Sequence, residues 1–325
     1  MLYDRGAVRG ALIIAPKGVY KNWNDIEFPT HMPEHVEYTK VLWEPNITKK
    51  KQHELDTLFV DDDKLKVLIM NVEAFSTSKG LDFAHSFLNI FVGRALIGID
   101  ESTTIKNPTA KRTKNILKIA DLAKYRRILT GSPVTKSPLD LYSQCEFLDP
   151  YHLGHQSYYS FRARYANMID RNFGGRRVQI VGSYRRLPEL TEKLEKFSYR
   201  VLKEDCLDLP PKVFTKRIIE LTDEQKKVYA QMKREAVAEL EGKVMSTMNV
   251  MTQLMRLHQV TCGHFKADDD TITEIKNNLI DSLLELLEET EGKVIIWANY
   301  RADIKNIVAA LKKAYGEAST CLLYT

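Results

Sequence analysis

The chain has 325 residues with a hydrophobic share of 44% and a charged share of 28%, the proportions of an ordinary globular protein, and its length predicts two domains. No apolar run is long enough to span a membrane, the N-terminus has no signal pattern, and four widely spaced cysteines form no CxxC pair. These features argue against a membrane protein, a secreted protein and a disulfide framework. The formal net charge of +5 is only a weak indication of a polyanionic partner.

Four short apolar runs in the first half of the chain predict buried β-strands. They lie at residues 11–15, 67–70, 95–99 and 127–129. Because the runs are continuous and helix-like segments separate them, they predict a parallel sheet covered by helices on both faces. Residues 110–124 fit one such crossover helix. The first half therefore predicts an α/β fold.

The composition changes at about residue 151, where aromatic residues and arginines become frequent. From Arg162 to Arg186 the chain has seven arginines and one acid, Asp170. Asparagine and glycine predict a turn at residues 172–175. We interpret residues 151–197 as a basic insert within a first domain that covers residues 1–207.

The second predicted domain, residues 208–325, begins with a strap that contains two prolines. A capping-box pattern at residues 222–225 then starts a helix. A following helix could end at Gly263. Residues 293–298 predict another strand, and a helix that closes at Gly316 follows it. A second α/β lobe therefore begins near the end of the chain.

Short polar signatures follow the predicted strands, and the carboxyl ends of parallel strands share one rim where ligands bind. In chain order the signatures contain Lys17, Asn71, Asp100-Glu101, Thr130-Gly131-Ser132, and Asn299 with Arg301. Because any such fold places loops at strand ends, this placement alone does not decide whether the rim is a functional site.

Two adjacent acids after an apolar strand have a specific use in nucleotide hydrolysis. The first carboxylate, Asp100, can hold phosphate-bound Mg²⁺ through its waters. The second, Glu101, can orient and deprotonate the attacking water. Alternatively, both acids only stabilise a helix N-terminus against the helix dipole. The pair by itself favours this alternative.

The neighbouring residues resemble the Swi/Snf-type branch of helicase superfamily two. The matching segments follow the order of the family motifs across nearly the whole chain. They are residues 12–16 with Trp23 (motif Ia), 97–107 (motif II, IGIDESTTIKN), 127–133 with their continuation to 150 (motif III, RILTGSP), 200–203 with 209–212 (the strap between lobes), 254–259 (the helix before the second lobe) and 293–300 (motif IV).

The resemblance implies two RecA-like parallel-sheet lobes with helical insertions, the first without its phosphate-loop unit and the second incomplete. It implies ATP and Mg²⁺ as cofactors, Asp100 and Glu101 as catalytic residues, and Asp100 as the magnesium ligand through water. Residues 130–132 would be the coupling motif III. The implied function is a monomeric translocase on double-stranded DNA with no membrane partner. It would act in the cytoplasm of a bacterial or viral host cell, or in the nucleus of a eukaryote.

The basic insert is a candidate DNA contact, because arginines neutralise phosphates and aromatic side chains can stack on bases. Alternatively, its aromatic residues pack into a small core of their own. We favour DNA contact because the resemblance implies a motor that tracks a phosphate backbone. The predicted nucleic-acid-binding residues are Lys17, Asn71, Lys106, Arg162, Arg164, Arg176, Arg177, Asn299 and Arg301.

The sequence departs from the family pattern in two places. Ser102-Thr103 stands where motif II commonly has Ala-His, which puts the route from hydrolysis to DNA binding in doubt. No G-x-x-x-x-G-K-[ST] loop occurs in the chain, so the cradle for the β- and γ-phosphates is missing, and motif VI is missing as well. We expect truncation at both ends and no ATP hydrolysis by this chain alone.

Two other functional classes remain as alternatives to a motor. The chain could be a non-catalytic DNA-binding remnant or a regulatory fragment. A metal-dependent nuclease that uses Asp100 fits poorly, because Glu101 and Lys106 have the wrong spacing for that chemistry.

One cluster could also hold a structural metal at a helix end. It consists of His258, Cys262 and His264, with no obvious fourth ligand nearby. Because closed zinc sites use four ligands, we predict a packed helix terminus there instead.

Overall fold

The computed structural model describes residues 2–173, 175–242, 247–266 and 271–322. Within these ranges, only the backbone is described for residues 173, 176, 235–242, 247–250 and 266. The chain divides into two compact units, Met1–Leu207 and Asp208–Thr325. Helices of eight residues or more are numbered below. None of the described helices has the length and apolar character needed to cross a membrane.

A five-stranded parallel sheet forms the centre of the first unit, in the order β2-β3-β1-β4-β5. Its strands are β1 (Gly10–Ala15), β2 (Tyr38–Leu42), β3 (Leu65–Asn71), β4 (Ala95–Ile99) and β5 (Tyr125–Ile128). The predicted α/β fold is confirmed. The edge strand β2 was missed because its sequence, YTKVL, mixes polar and apolar residues and is only half-buried.

Helices cover this sheet and join its strands. They are α1 (Lys49–Asp56), α2 (Ser78–Ile90), α3 (Lys111–Ala120) and α4 (Leu141–Leu148). A composite helical segment follows β1, made of Tyr20–Asn22, a π-helical turn at Trp23–Glu27, and Phe28–His31. Helix α3 lies within the crossover helix predicted at residues 110–124.

Alternate residues of the central strands enter two different cores. Leu12 and Ile14 pack on one face with Phe87 of α2. Ala11 and Ile13 pack on the other face in a separate cluster. Because both faces of β1 are covered, the sequence of this strand is one continuous apolar run.

The segment predicted as a basic insert folds as helix α5 (Tyr158–Tyr165), an antiparallel hairpin of β6 (Ala166–Phe173) and β7 (Arg176–Tyr184), and helix α6 (Leu187–Glu195). The turn predicted at residues 172–175 begins too early, because residues 172 and 173 belong to β6 and pair with β7. Residue 175 follows β6 and precedes β7, and residue 174 lies outside the described residues. Phe161, Tyr165 and Leu190 are buried in a third core, to which Leu139 and Tyr142 also contribute.

The described residues of the second unit form four long helices and one small hairpin. They are α7 (Asp223–Gly242), α8 (Thr247–Thr261), α9 (Leu279–Glu288) and α10 (Arg301–Tyr315), and the hairpin strands β8 (His264–Lys266) and β9 (Ile272–Glu274). Gly263 and Gly316 follow α8 and α10 with φ angles of 87° and 92°. Both predicted helix ends are therefore confirmed.

The prediction of a strand at residues 293–298 is wrong. In the described part of this unit, β8 and β9 pair only with each other, and neither pairs with residues 293–298. Ile295 and Trp297 are 71% and 81% exposed. An apolar run has strand propensity, but a strand also needs a hydrogen-bonded neighbour, and the described residues provide none here.

Candidate functional site

Four of the five predicted polar signatures lie on one rim of the first unit. β1, β3, β4 and β5 run parallel, so the loops that follow them leave the same edge of the sheet. These loops carry Lys17, Asn71, Asp100-Glu101 and Thr130-Gly131-Ser132. Asn299 and Arg301 lie in the second unit and are exposed.

Asp100 is oriented by hydrogen bonds from two sides. Its Oδ2 accepts from Nε1 of Trp23 at 2.8 Å, and its Oδ1 accepts from the backbone N–H of Glu101 at 2.9 Å. The backbone N–H of Asp100 donates to the carbonyl of Ile14 at 2.8 Å. Since a carboxylate has about four lone-pair positions, capacity is left for a magnesium-bound water. The Asp100 carboxylate therefore fits the predicted ion.

Glu101 has an unusual backbone conformation for a residue with a side chain. Its φ of 47° and ψ of 59° lie in the left-handed region. Among the described residues only Arg186 shares a positive φ without being glycine. Such a conformation costs roughly 1–3 kcal/mol and is found where the surroundings enforce it, often at functional sites. The exposed carboxylate of Glu101 is thus presented at the rim by a strained backbone.

The loop after β5 is held to the segment that follows Glu101. Asp140 Oδ2 accepts from the backbone N–H and the Oγ1 of Thr135, at 3.1 and 2.8 Å, and from the N–H of Lys136 at 3.0 Å. Burial raises the pKa of Asp140, but these bonds outweigh it and hold the pKa below its ordinary value. Lys106 Nζ donates to Thr135 Oγ1 and lies 3.9 Å from Asp140. Lys106 is thus engaged within the protein.

Of the other predicted DNA-binding residues on the rim, Lys17 is exposed and Asn71 is buried. The Oδ1 of Asn71 accepts from the backbone N–H of Ala74 at 2.8 Å and caps the short helix that follows β3. This cap accounts for an asparagine at that position. DNA contact by Asn71 stays a prediction.

The arginines of the insert are partly paired with acids. Arg164 binds Glu189 at 2.6 Å, and Arg177 binds Asp170 at 2.5 Å while remaining 78% exposed. The Arg162 guanidinium lies 5.2 Å from the ring centre of Tyr159. The side chain of Arg176 lies outside the described residues. Phe161 and Tyr165 are fully buried, so these two aromatics pack locally and are not free to stack on bases.

The cluster at the end of α8 is a packed helix terminus. His258 Nδ1 lies 2.9 Å from the Tyr300 hydroxyl, and His264 Nδ1 lies 3.0 Å from Asp303. No group of three or more His, Cys, Asp or Glu residues in the described ranges could hold a metal ion.

Two residues of the site were missed as functional partners. Trp23 was placed in motif Ia, but no pattern indicated that its indole binds Asp100. Gln144 of α4 is fully buried and binds Ser102, a residue 42 positions away in sequence. No local periodicity or motif spacing signals such a side-chain pair.

Comparison with known proteins decides the family. The model of the SNF2-related domain matches residues 2–266. The chain belongs to this family. The match confirms the resemblance to the Swi/Snf-type family.

Individual relatives of this SNF2-related chain are longer proteins. The human helicase-like transcription factor is 28% identical over 307 residues, which are 86% of this chain and 28% of that protein. An uncharacterized ATP-dependent helicase of Mycoplasma genitalium is 24% identical over 294 residues, 89% of this chain and 25% of that protein. The Sulfolobus solfataricus SWI2/SNF2 ATPase core in complex with dsDNA is 22% identical with a TM-score of 0.46, over 96% of this chain and 61% of that chain. The chain thus spans about a quarter of the length of these curated relatives.

The ion pair in the insert predicts a defined pH dependence. Hydrogen bonds from Arg164, and then from Tyr165, lower the pKa of Glu189 from 4.5 to about 2. Because the folded-state pKa is depressed, this stabilisation is present above pH 4.5 and is lost as the pH falls toward 2. The melting temperature of Glu189→Gln should therefore depend less on pH in this window than that of the wild type.

A suitable control is Glu192→Gln on the same helix, since Glu192 is 73% exposed and its ion pair in the described structure is with Lys196. Thermal melts at several pH values check the prediction. Identical acid profiles for Glu189→Gln and the wild type would contradict it.

Proposed function

We propose that this chain is part of an ATP-dependent DNA translocase, in which ATP hydrolysis is coupled to movement on duplex DNA. The observation that carries the proposal is the acid pair at the carboxyl rim, with Asp100 oriented by Trp23 and Glu101 held in a left-handed conformation. Family membership supports it, since a relative of similar sequence is named an ATP-dependent helicase.

Each rim residue has a role in this proposal. Asp100 would hold Mg²⁺ through coordinated water, and the ion would neutralise charge on the nucleotide phosphates. Glu101 would orient the attacking water and accept its proton. Residues 130–132 lie on the same rim, and we propose that they connect this chemistry to the DNA-binding surface.

We further propose that the chain does not hydrolyse ATP by itself. No G-x-x-x-x-G-K-[ST] loop is present in the sequence, so the backbone cradle and lysine for the β- and γ-phosphates have to come from elsewhere. The residues present could hold the magnesium ion, but they do not supply the groups that bind the whole triphosphate.

A second candidate function is a non-catalytic DNA-binding or regulatory fragment. The same missing phosphate loop favours it, together with the exposed insert arginine Arg177. The two candidates differ in whether the acid pair at the rim does chemistry.

A DNA-dependent ATPase assay tests the leading proposal. In a longer protein that joins this chain to a phosphate loop, duplex DNA should stimulate ATP hydrolysis. Glu101→Gln should lower turnover by roughly 100-fold or more while nucleotide binding remains, because the base that accepts the proton is removed. Glu73→Gln is the control, an exposed acid in the turn that follows β3. Equal rates with and without duplex, or full turnover by Glu101→Gln, would refute the proposal.

Binding of duplex DNA by the present chain should fall steeply with salt, because arginine–phosphate contacts release counterions. Arg177→Ala should reduce the slope of log K against log salt by about 1. Arg126→Ala removes the same charge from a side chain that is 19% exposed and bound to Asp121, and it should leave the slope unchanged. Affinity that does not change with salt would remove the insert from the DNA-binding surface.

A further inference from the structure

The rim loop at residues 130–132 is tied at both of its ends to the residue that follows Glu101. The backbone N–H of Ser102 donates to the carbonyl of Leu129 at 3.0 Å, just before the loop. The Oγ of Ser102 donates to Oε1 of Gln144 at 2.7 Å. Nε2 of Gln144 in turn donates to the carbonyl of Pro133 at 2.8 Å, just after the loop. Ser102 is thus bound to both flanks of the loop.

The two side chains that make this connection are fully buried. Ser102 and Gln144 are each 0% exposed. Nε2 of Gln144 also donates to the carbonyl of Asp140 at 2.8 Å, so both of its N–H groups are used. A buried amide or hydroxyl that loses its partner bears the full cost of desolvation. The geometry of the pair is therefore strongly enforced, unlike that of a surface contact.

The same connection acts on the backbone of Glu101. Ser102 is the next residue, and its amide and its side chain are both anchored. A left-handed glutamate persists only when the surrounding structure fixes it. Relaxation of Glu101 to an ordinary conformation would move Ser102 and break bonds to the loop at residues 130–132.

We propose that Ser102 and Gln144 are positioning residues that couple the loop at residues 130–132 to the backbone of Glu101. When the loop moves, the hydrogen bonds at Leu129, Pro133 and Gln144 move Ser102 with it. A change in the backbone of Glu101 moves the loop through the same bonds. The claim that this coupling links bound DNA to the acid pair rests on the function proposed above. The mechanical connection itself needs neither DNA nor nucleotide.

The serine hydroxyl thus has a defined use at a position where the motif commonly has alanine. With alanine, the Gln144 amide would keep its bonds to Pro133 and Asp140 but would lose contact with the acid-pair segment. The alternative is that the pair only fills space between α4 and the rim. The two interpretations differ in what happens when the hydrogen bond is replaced by apolar packing.

Native-state hydrogen exchange on the 325-residue chain tests the connection without ligands. Segments 100–106 and 129–136 should open together in the wild type, with one common dependence on denaturant, because they form one cooperative unit. Ser102→Ala leaves the backbone bond from Ser102 to Leu129 and the bond from Lys106 to Thr135 in place, but it removes the buried bond to Gln144 that reaches the far flank of the loop. It should therefore raise exchange in segment 129–136 by about tenfold and separate its opening from that of segment 100–106.

Two further variants keep the test decisive if Ser102→Ala is generally unstable. The double variant Ser102→Ala/Gln144→Met restores apolar packing without the connection, so it should recover global stability while the two segments still open separately. Ser143→Ala is the matched control on α4, because within the described structure its buried hydroxyl has no hydrogen-bond partner. Joint opening in Ser102→Ala, or in the double variant, would overturn the inference.

Added duplex DNA separates this inference from the proposed function. In the wild type, duplex should change exchange in residues 100–103 and in segment 129–136, whereas in Ser102→Ala only segment 129–136 should respond. Residues 104–106 are left out of this comparison because Lys106 is itself a predicted DNA contact. If duplex does not bind the wild type, the proposed function fails, and the ligand-free exchange still decides whether Ser102 and Gln144 couple the segments. Equal responses of residues 100–103 and segment 129–136 in Ser102→Ala would contradict the coupling.

Discussion

Parallel pairing of the central strands is the constraint on which the candidate site depends. The chain must return to the same starting edge before each parallel strand, so the four loops of the first unit that carry polar signatures leave from the opposite edge. Asp100 and the loop at residues 130–132 are about 30 residues apart in sequence and meet because β4 and β5 are adjacent in the sheet. The buried apolar faces of β1 and β3 make this arrangement rigid. The pairing of the strands is therefore enough to place the acid pair next to the loop at residues 130–132, without any side-chain contact.

Hydrogen bonds then fix the orientation of the side chains that the sheet brings to the rim. Trp23 fixes one oxygen of Asp100, and the segment after Glu101 is bound to the loop after β5 through Ser102 and Gln144. The left-handed backbone of Glu101 is maintained within this network. In contrast, the basic insert packs on a third core, to which Leu139 and Tyr142 also contribute, and pairs some arginines with acids. The side chains of the rim are held by hydrogen bonds, whereas the insert presents exposed arginines such as Arg177.

The sequence predicted the fold where one physical signal dominated. The continuous apolar run ALIGI predicted β4 with the correct ends, and glycine at positions 263 and 316 predicted two helix ends. The prediction failed at residues 293–298, because strand formation depends on a neighbouring strand as well as on local propensity. The strand order follows from tertiary packing, which local patterns do not specify.

For the site, the motifs identified the acid pair and its neighbours but not the contacts that hold them. The bond from Trp23 to Asp100 spans 77 positions, and the bond from Ser102 to Gln144 spans 42. Such pairs depend on how helices are seated on the sheet. For Asn71, the sequence predicted the place of the residue at the rim. The structure adds that its side chain caps the following helix. Residue type and position alone could not distinguish this capping role from DNA contact.

Divalent-cation binding at Asp100 tests the central claim most directly, with Mn²⁺ as a paramagnetic probe for Mg²⁺. The indole nitrogen of Trp23 lies 2.8 Å from the Asp100 carboxylate, whereas Trp43 of the same unit is buried in the core. Paramagnetic broadening falls steeply with distance, so Mn²⁺ should broaden the Trp23 indole N–H signal first. Excess Mg²⁺ should reverse this effect, and Asp100→Asn should abolish it. Equal broadening of the Trp23 and Trp43 indoles, or selective broadening that persists in Asp100→Asn, would contradict a metal-holding role for Asp100.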